Sequence, residues 1–221
     1  MNMSWYDMEE GRYDQARNRL KAFLKDNPKD PDVLFQLGRL EESARRLPEA
    51  AGYWTEADRA QNKDPRPGIA LVNLYIADRQ LDKALAAAKT LMANYADVPQ
   101  AQMALARAYL VTGDTQLARQ ALNDAAAKAG FDVDTLLTVG RMQLQLGNLD
   151  GAAHAANKAL QSVPGEPAAM GLLVEVAARK GNAADVDKAM AALQAKNPGH
   201  PVTLVTAGHI AFSRGQPAKA L

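Results

Sequence analysis

Residues 99–132 read PQAQMALARAYLVTGDTQLARQALNDAAAKAGFD, and their pattern decides the fold. Met103, Leu105, Ala106, Tyr109 and Leu110 fall at the spacing of one apolar helix face. Thr112-Gly113-Asp114 interrupts that spacing, and Leu117, Ala118, Ala121, Leu122 and Ala125 resume it on a second helix. Ala118 belongs to a series that runs through the chain: Ala16, Ala50, Ala84, Ala118, Ala152, Val186 and Ala220, each 34 residues after the last. A fixed period of about that length marks a helix-turn-helix solenoid, in which each unit buries its apolar face only against its neighbours.

With the recurring alanine taken as position 20, the complete units are 31–64, 65–98, 99–132, 133–166 and 167–200, flanked by partial units 1–30 and 201–221. Position 8 holds small or β-branched residues (Gly38, Val72, Ala106, Gly140, Val174, Gly208), which suits close helix packing. Position 15 holds Gly11, Arg45, Arg79, Gly113, Gly147, Gly181 and Gly215, where the turn between two helices calls for left-handed backbone. Pro28, Pro164 and Pro198 at position 32 end the second helix. The small side chain at position 20 lets the two helices approach, so Val186 predicts slightly wider packing in unit 167–200. Strand patterns are absent, and the fold class expected is all-α.

Gly or Ala at 8, Tyr at 11 (Tyr75, Tyr109), Gly at 15, Ala at 20, Ala at 27 (Ala57, Ala125, Ala159) and Pro at 32 resemble the tetratricopeptide repeat over essentially the whole chain. The usual Trp at position 4 is missing, with Leu34, Gly68, Gln102, Leu136, Met170 and Leu204 in its place. The resemblance implies a right-handed α-α superhelix in a single array over 1–221. It also implies that the first helix of each unit lines a concave groove through positions 2, 5, 9, 12 and 13. A narrower similarity lies in Phe131-Asp132-Val133-Asp134-Thr135-Leu136-Leu137 and Gly147-Asn148-Leu149-Asp150-Gly151-Ala152. Gln194-Ala195-Lys196-Asn197-Pro198-Gly199-His200-Pro201 and Asp64-Pro65-Arg66-Pro67-Gly68-Ile69-Ala70-Leu71 share it. These stretches are similar to the repeat lipoprotein that accompanies PEP-CTERM sorting and exopolysaccharide loci in Gram-negative bacteria. That similarity implies a fragment of a longer, periplasmic or outer-membrane-associated protein.

Composition excludes several functions. Lys+Arg number 26 against 25 Asp+Glu, so the net charge of +1 gives no overall pull on nucleic acid or anionic membrane. Aromatic residues are 5% of the chain, too few for a base-stacking platform. There is no cysteine, hence no disulfide, thiolate metal site or cysteine nucleophile. No apolar run is long enough to span a bilayer, and the first residues lack the basic and apolar regions of a signal peptide. His154, His200 and His209 have no metal-ligand spacing, and phosphate-loop, dinucleotide and nucleophile-elbow motifs are missing. Glu9-Glu10 and Glu41-Glu42 point apart on a helix and read as solvated faces. No catalytic residue, metal or cofactor is expected.

Position 9 reads Arg39, Asn73, Arg107, Arg141, Glu175 and His209. Stacked units would bring Arg39, Asn73, Arg107 and Arg141 into a polar ladder, in which planar guanidinium forks suit carboxylates. Phe35, Ile69, Met103 and Leu137 at position 5 add apolar surface, joined by Ile76, Leu110, Leu144 and Phe212 at position 12. Together they suggest a groove for an acidic, partly hydrophobic protein segment. Two other readings stay open: the apolar set packs against the next unit, and the arginines pair with Asp32, Glu42 or Asp134. The carboxylate clamp of chaperone-binding tetratricopeptide domains is matched only at Asn73, beside Ile69, Ala104 and Asp134.

The chain starts within a first helix and stops within a second. Apolar groups at its ends (Trp5 and Met8; Ala207, Phe212, Ala220 and Leu221) predict end-to-end self-association. The function expected is a non-catalytic scaffold for a protein or peptide partner, in an export system of the bacterial envelope. The alternatives are a cytoplasmic adaptor or assembly factor and, further off, a glycan-binding module.

Overall fold

The computed structural model describes residues 12–60 and 63–215, and these contain twelve helices and no strand. In chain order they are α1 (Tyr13–Asp26), α2 (Pro31–Ser43), α3 (Leu47–Arg59), α4 (Arg66–Ala77), α5 (Leu81–Asn94) and α6 (Pro99–Thr112). They continue with α7 (Thr115–Lys128), α8 (Val133–Gln145), α9 (Leu149–Ser162), α10 (Pro167–Lys180), α11 (Ala183–Lys196) and α12 (Pro201–Ser213). Each 34-residue period therefore supplies a first and a second helix.

The chain divides into two compact units, Met1–Asp114 and Thr115–Leu221. In the first, α2 packs on α3 and α4 on α5 within their repeats. Helices α1, α3 and α5 each pack on the first helix of the next repeat, and α4 also touches α6. In the second unit α8 pairs with α9 and α10 with α11. There α7, α9 and α11 bridge to the following first helix, and α8, α10 and α12 run side by side.

The position-20 residues sit where these packings converge. Ala16, Ala50, Ala84, Ala118 and Ala152 are fully buried, and Val186 is nearly so, against Val174, Met190 and Leu193. Position 8 is equally tight. Trp54 of α3 fills the space over Gly38 of α2, where a Cβ would stand 2.2 Å from its indole nitrogen. That nitrogen donates to the Phe35 carbonyl at 3.1 Å, which fixes the ring.

The turn between the two helices is left-handed in successive repeats. Gly113 is left-handed at φ +87°, and so are Gly147, Gly181 and Gly215; Arg45 (+60°) and Arg79 (+56°) adopt this conformation without being glycine. The following N–H reaches back over the turn: Arg46 to Glu41 O, Gln80 to Tyr75 O, Asp114 to Tyr109 O and Asn148 to Gln143 O, at 2.8–2.9 Å. These main-chain bonds satisfy a late carbonyl of α2, α4, α6 and α8. At the opposite junction Pro31, Pro99, Pro167 and Pro201 open first helices, where the missing N–H costs nothing. This second proline register, at position 1, was as visible in the sequence as the one at position 32.

Glu41 corrects one expectation. Glu42 is exposed, but Glu41 is 2% exposed and receives Arg17 of α1 in a two-pronged contact, Nε to Oε1 at 2.5 Å and Nη2 to Oε2 at 2.9 Å. Arg17 also donates to Asp14, and the carboxylates hold the guanidinium well above its usual pKa. The pair joins α1 to α2; the partner of Glu41 comes from another helix, which helical spacing within α2 cannot reveal. Glu9 and Glu10 lie outside the described residues.

Candidate partner-binding groove

Position 9 joins Asn73 to Arg107 in the first unit and brings Arg141, Glu175 and His209 to one cavity in the second. In the first unit Arg107 of α6 donates through Nη1 to Asn73 Oδ1 of α4 at 2.9 Å, a contact across one full period. Its Nε is buried without a hydrogen-bond partner among the described residues. Desolvation pushes the guanidinium pKa below its ordinary value, because a half-buried cation lacks a compensating anion. Arg39 of α2 is exposed. The acids considered as internal partners are engaged or placed otherwise: Asp32 pairs with Arg66 at 3.0 Å, and neither Glu42 nor Asp134 forms an ion pair with a position-9 arginine.

The apolar set divides. Phe35 and Ile69 are half-buried, with the Arg66 guanidinium 5.0 Å from the centre of the Phe35 ring. Met103 and Leu137 are 7% and 6% exposed, so their side chains pack between helices and offer a partner little surface. At position 12, Ile76 and Leu110 are half-buried, Leu144 is buried and Phe212 is 74% exposed.

In the second unit the exposed Arg141 of α8 lines a cavity of about 490 Å³. Glu175 of α10 and His209 of α12, its position-9 counterparts, share the lining over a floor that includes Leu172 and Val202. Arg179, at position 13 of α10, is a further lining residue and donates to the Leu144 carbonyl at 2.7 Å. The groove register reaches all three, but a search for arginines alone passes over Glu175 and His209.

On α12, Leu204 and Phe212 are exposed and Ala207 is half-buried. Trp5, Met8, Ala220 and Leu221 lie outside the described residues. Among the described residues no three His, Asp or Glu side chains gather as metal ligands, and no helix is long and apolar enough to cross a membrane.

A profile of the tetratricopeptide repeat matches residues 2–65, 69–133 and 140–201. The chain belongs to the tetratricopeptide repeat family. Solved tetratricopeptide-like structures resemble it in fold. PilW, a type IV pilus biogenesis factor, is 17% identical, with 91% of this chain and 94% of that one covered at a TM-score of 0.63. YrrB, described as a repeat protein with an unusual peptide-binding site, is 16% identical over 84% and 95%, at 0.55. A thermophilic repeat protein of Thermus thermophilus is 22% identical over 81% and 96%, at 0.56. No curated protein matches the sequence. Proteins of this family generally mediate protein–protein interaction or assembly, through a scaffold that is typically non-catalytic.

Proposed function

We propose that this protein holds an acidic segment of a partner protein along the first-helix groove. The observation that carries the reading is Arg107: a half-buried cation, tethered to Asn73, that no carboxylate among the described residues pairs with. Unpaired buried donors are costly, and a carboxylate is the acceptor a guanidinium fork fits best. Arg39, Asn73 and Arg107 supply the polar contacts of the first unit, while Phe35 and Ile69 offer half-buried apolar surface beside them. Taken by itself, the second unit offers a separate cation, Arg141, in a cavity shared with Glu175 and His209. A peptide-binding relative such as YrrB supports this by analogy of fold alone.

The test is titration of a fluorescent Glu-rich peptide at low salt. Arg107→Ala should weaken binding about tenfold, the scale of one charge-assisted hydrogen bond of ~1.5 kcal/mol. Affinity unchanged in Arg107→Ala combined with Arg39→Ala rejects the ladder.

The setting we infer is envelope export of exopolysaccharide or sorted proteins, supported by the similarities at 64–71, 131–137, 147–152 and 194–201. Fractionation of the full-length gene product tests this: recovery with envelope membranes agrees, and recovery in the cytoplasm rejects it.

A further inference from the structure

A cavity of about 990 Å³ lies among α3, α4 and α5 of the first unit and is lined by none of the position-9 residues. Helix α5 forms one wall with Lys83, Thr90 and Asn94, and α3 forms the other with Thr55, Asp58 and Arg59. Its volume is at the upper end of the range for ligand sites, roughly 300–1,000 Å³. Ala86 and Ala87 keep the α5 wall low, and Leu91 packs over Gly68 at the floor. A Cβ at Gly68 would stand 2.7 Å from Leu91 Cδ1 and 3.5 Å from Asp58 Oδ1, so the carboxylate lies close over the start of α4.

Two sets of groups define what would fit. Asp58 is half-buried, and no hydrogen bond or ion pair from the described residues reaches it. Burial holds its carboxyl above the usual carboxylate range, and the Tyr95 phenol is raised first by burial and then by the charges of Asp58 and Asp64. Glu41 in the same unit is buried and receives Arg17, whereas the half-buried Asp58 receives no side chain among the described residues. Around it are three exposed cations, Arg59, Lys63 and Lys83, of which only Lys83 has a neighbour among the described residues, the Tyr75 ring at 5.8 Å. Asp64, the other nearby acid, is taken by Arg66. The cavity thus asks for a hydrogen-bond donor at its base and negative charge at its rim. An acidic peptide segment carries both: main-chain N–H groups for Asp58 and side-chain carboxylates for the cations.

We propose that the α3–α5 cleft is a second protein-binding site, separate from the first-helix groove, that takes an acidic peptide segment with main-chain N–H groups directed at Asp58. The probe is poly-L-glutamate at low salt, followed by amide chemical shifts of the labelled protein. The expected result is perturbation at Thr90, Asn94 and Tyr95 that persists in Arg107→Ala and falls at least tenfold in affinity in Arg59→Glu/Lys83→Glu. Both substituted side chains are exposed, and a thermal melt matching the parent protein verifies the fold of that variant. Asp58→Ala should weaken binding further when combined with the single Lys83→Glu change. Shifts confined to Asn73 and Arg107, or a cleft response indifferent to the charge reversal, overturn the proposal. Equal perturbation of the cleft by poly-L-lysine overturns it too.

Discussion

Arg79 shows how a single position can depart from its register and still obey it. It stands where other repeats have glycine, and its φ of +56° is the same left-handed turn. A side chain there costs about 1 kcal/mol relative to glycine, because Cβ crowds the neighbouring carbonyl. Arg79→Gly should therefore raise stability by about 0.5–1 kcal/mol in urea denaturation. Asp58 is a second residue kept against stability. Its folded pKa lies above the unfolded one, so the ionised form is penalised above the folded value. That penalty fades as pH falls from the folded value to the unfolded value of about 3.9. Asp58→Asn should raise the urea midpoint at pH 7, and the advantage over the parent protein should disappear near pH ~3.5, below that unfolded value. A constant advantage across that window would exclude the titration as its source.

At the scale of helices, Gly38 and Trp54 decide how closely α2 and α3 approach. Gly38→Ala forces a methyl group into the indole, which its bond to the Phe35 carbonyl prevents from moving aside. Overpacking of this kind costs about 1–3 kcal/mol. A calorimetric melt of Gly38→Ala should show that loss, and pairing it with Trp54→Leu should cost less than the sum of the two changes. The sequence made much of this layer legible. Alanines spaced by 34 residues located the buried contacts, and Gly113 and Gly147 located the turns. The Arg17–Glu41 pair was hidden because its members lie on different helices, 24 residues apart. Met103 and Leu137 read as groove residues from their register, yet both are buried, since one register position can face a neighbour in one repeat and solvent in another. The α3–α5 cleft was illegible for the same reason: it depends on how α3, α4 and α5 are spaced, which no single register position records.

For the whole molecule, stability follows from contacts between neighbours. Every helix pairing described joins elements at most two apart in the chain. In a chain built this way, a local loss of free energy frays the repeats beside it first. Amide hydrogen exchange in Gly38→Ala should therefore accelerate most in α2, α3 and α4, with much smaller changes in α9 to α11. Uniform acceleration throughout would instead mean that the chain unfolds as one cooperative body.

The turn at position 15 has a consequence for how such a chain changes length. Its closing bonds run from one main chain to another, so they do not depend on which side chains stand there, as Arg45 and Arg79 demonstrate beside the glycines. A recombination event that removes or copies one 34-residue period between two such turns rejoins like with like. The left-handed turn is regenerated at the seam, so the number of repeats can drift by whole units.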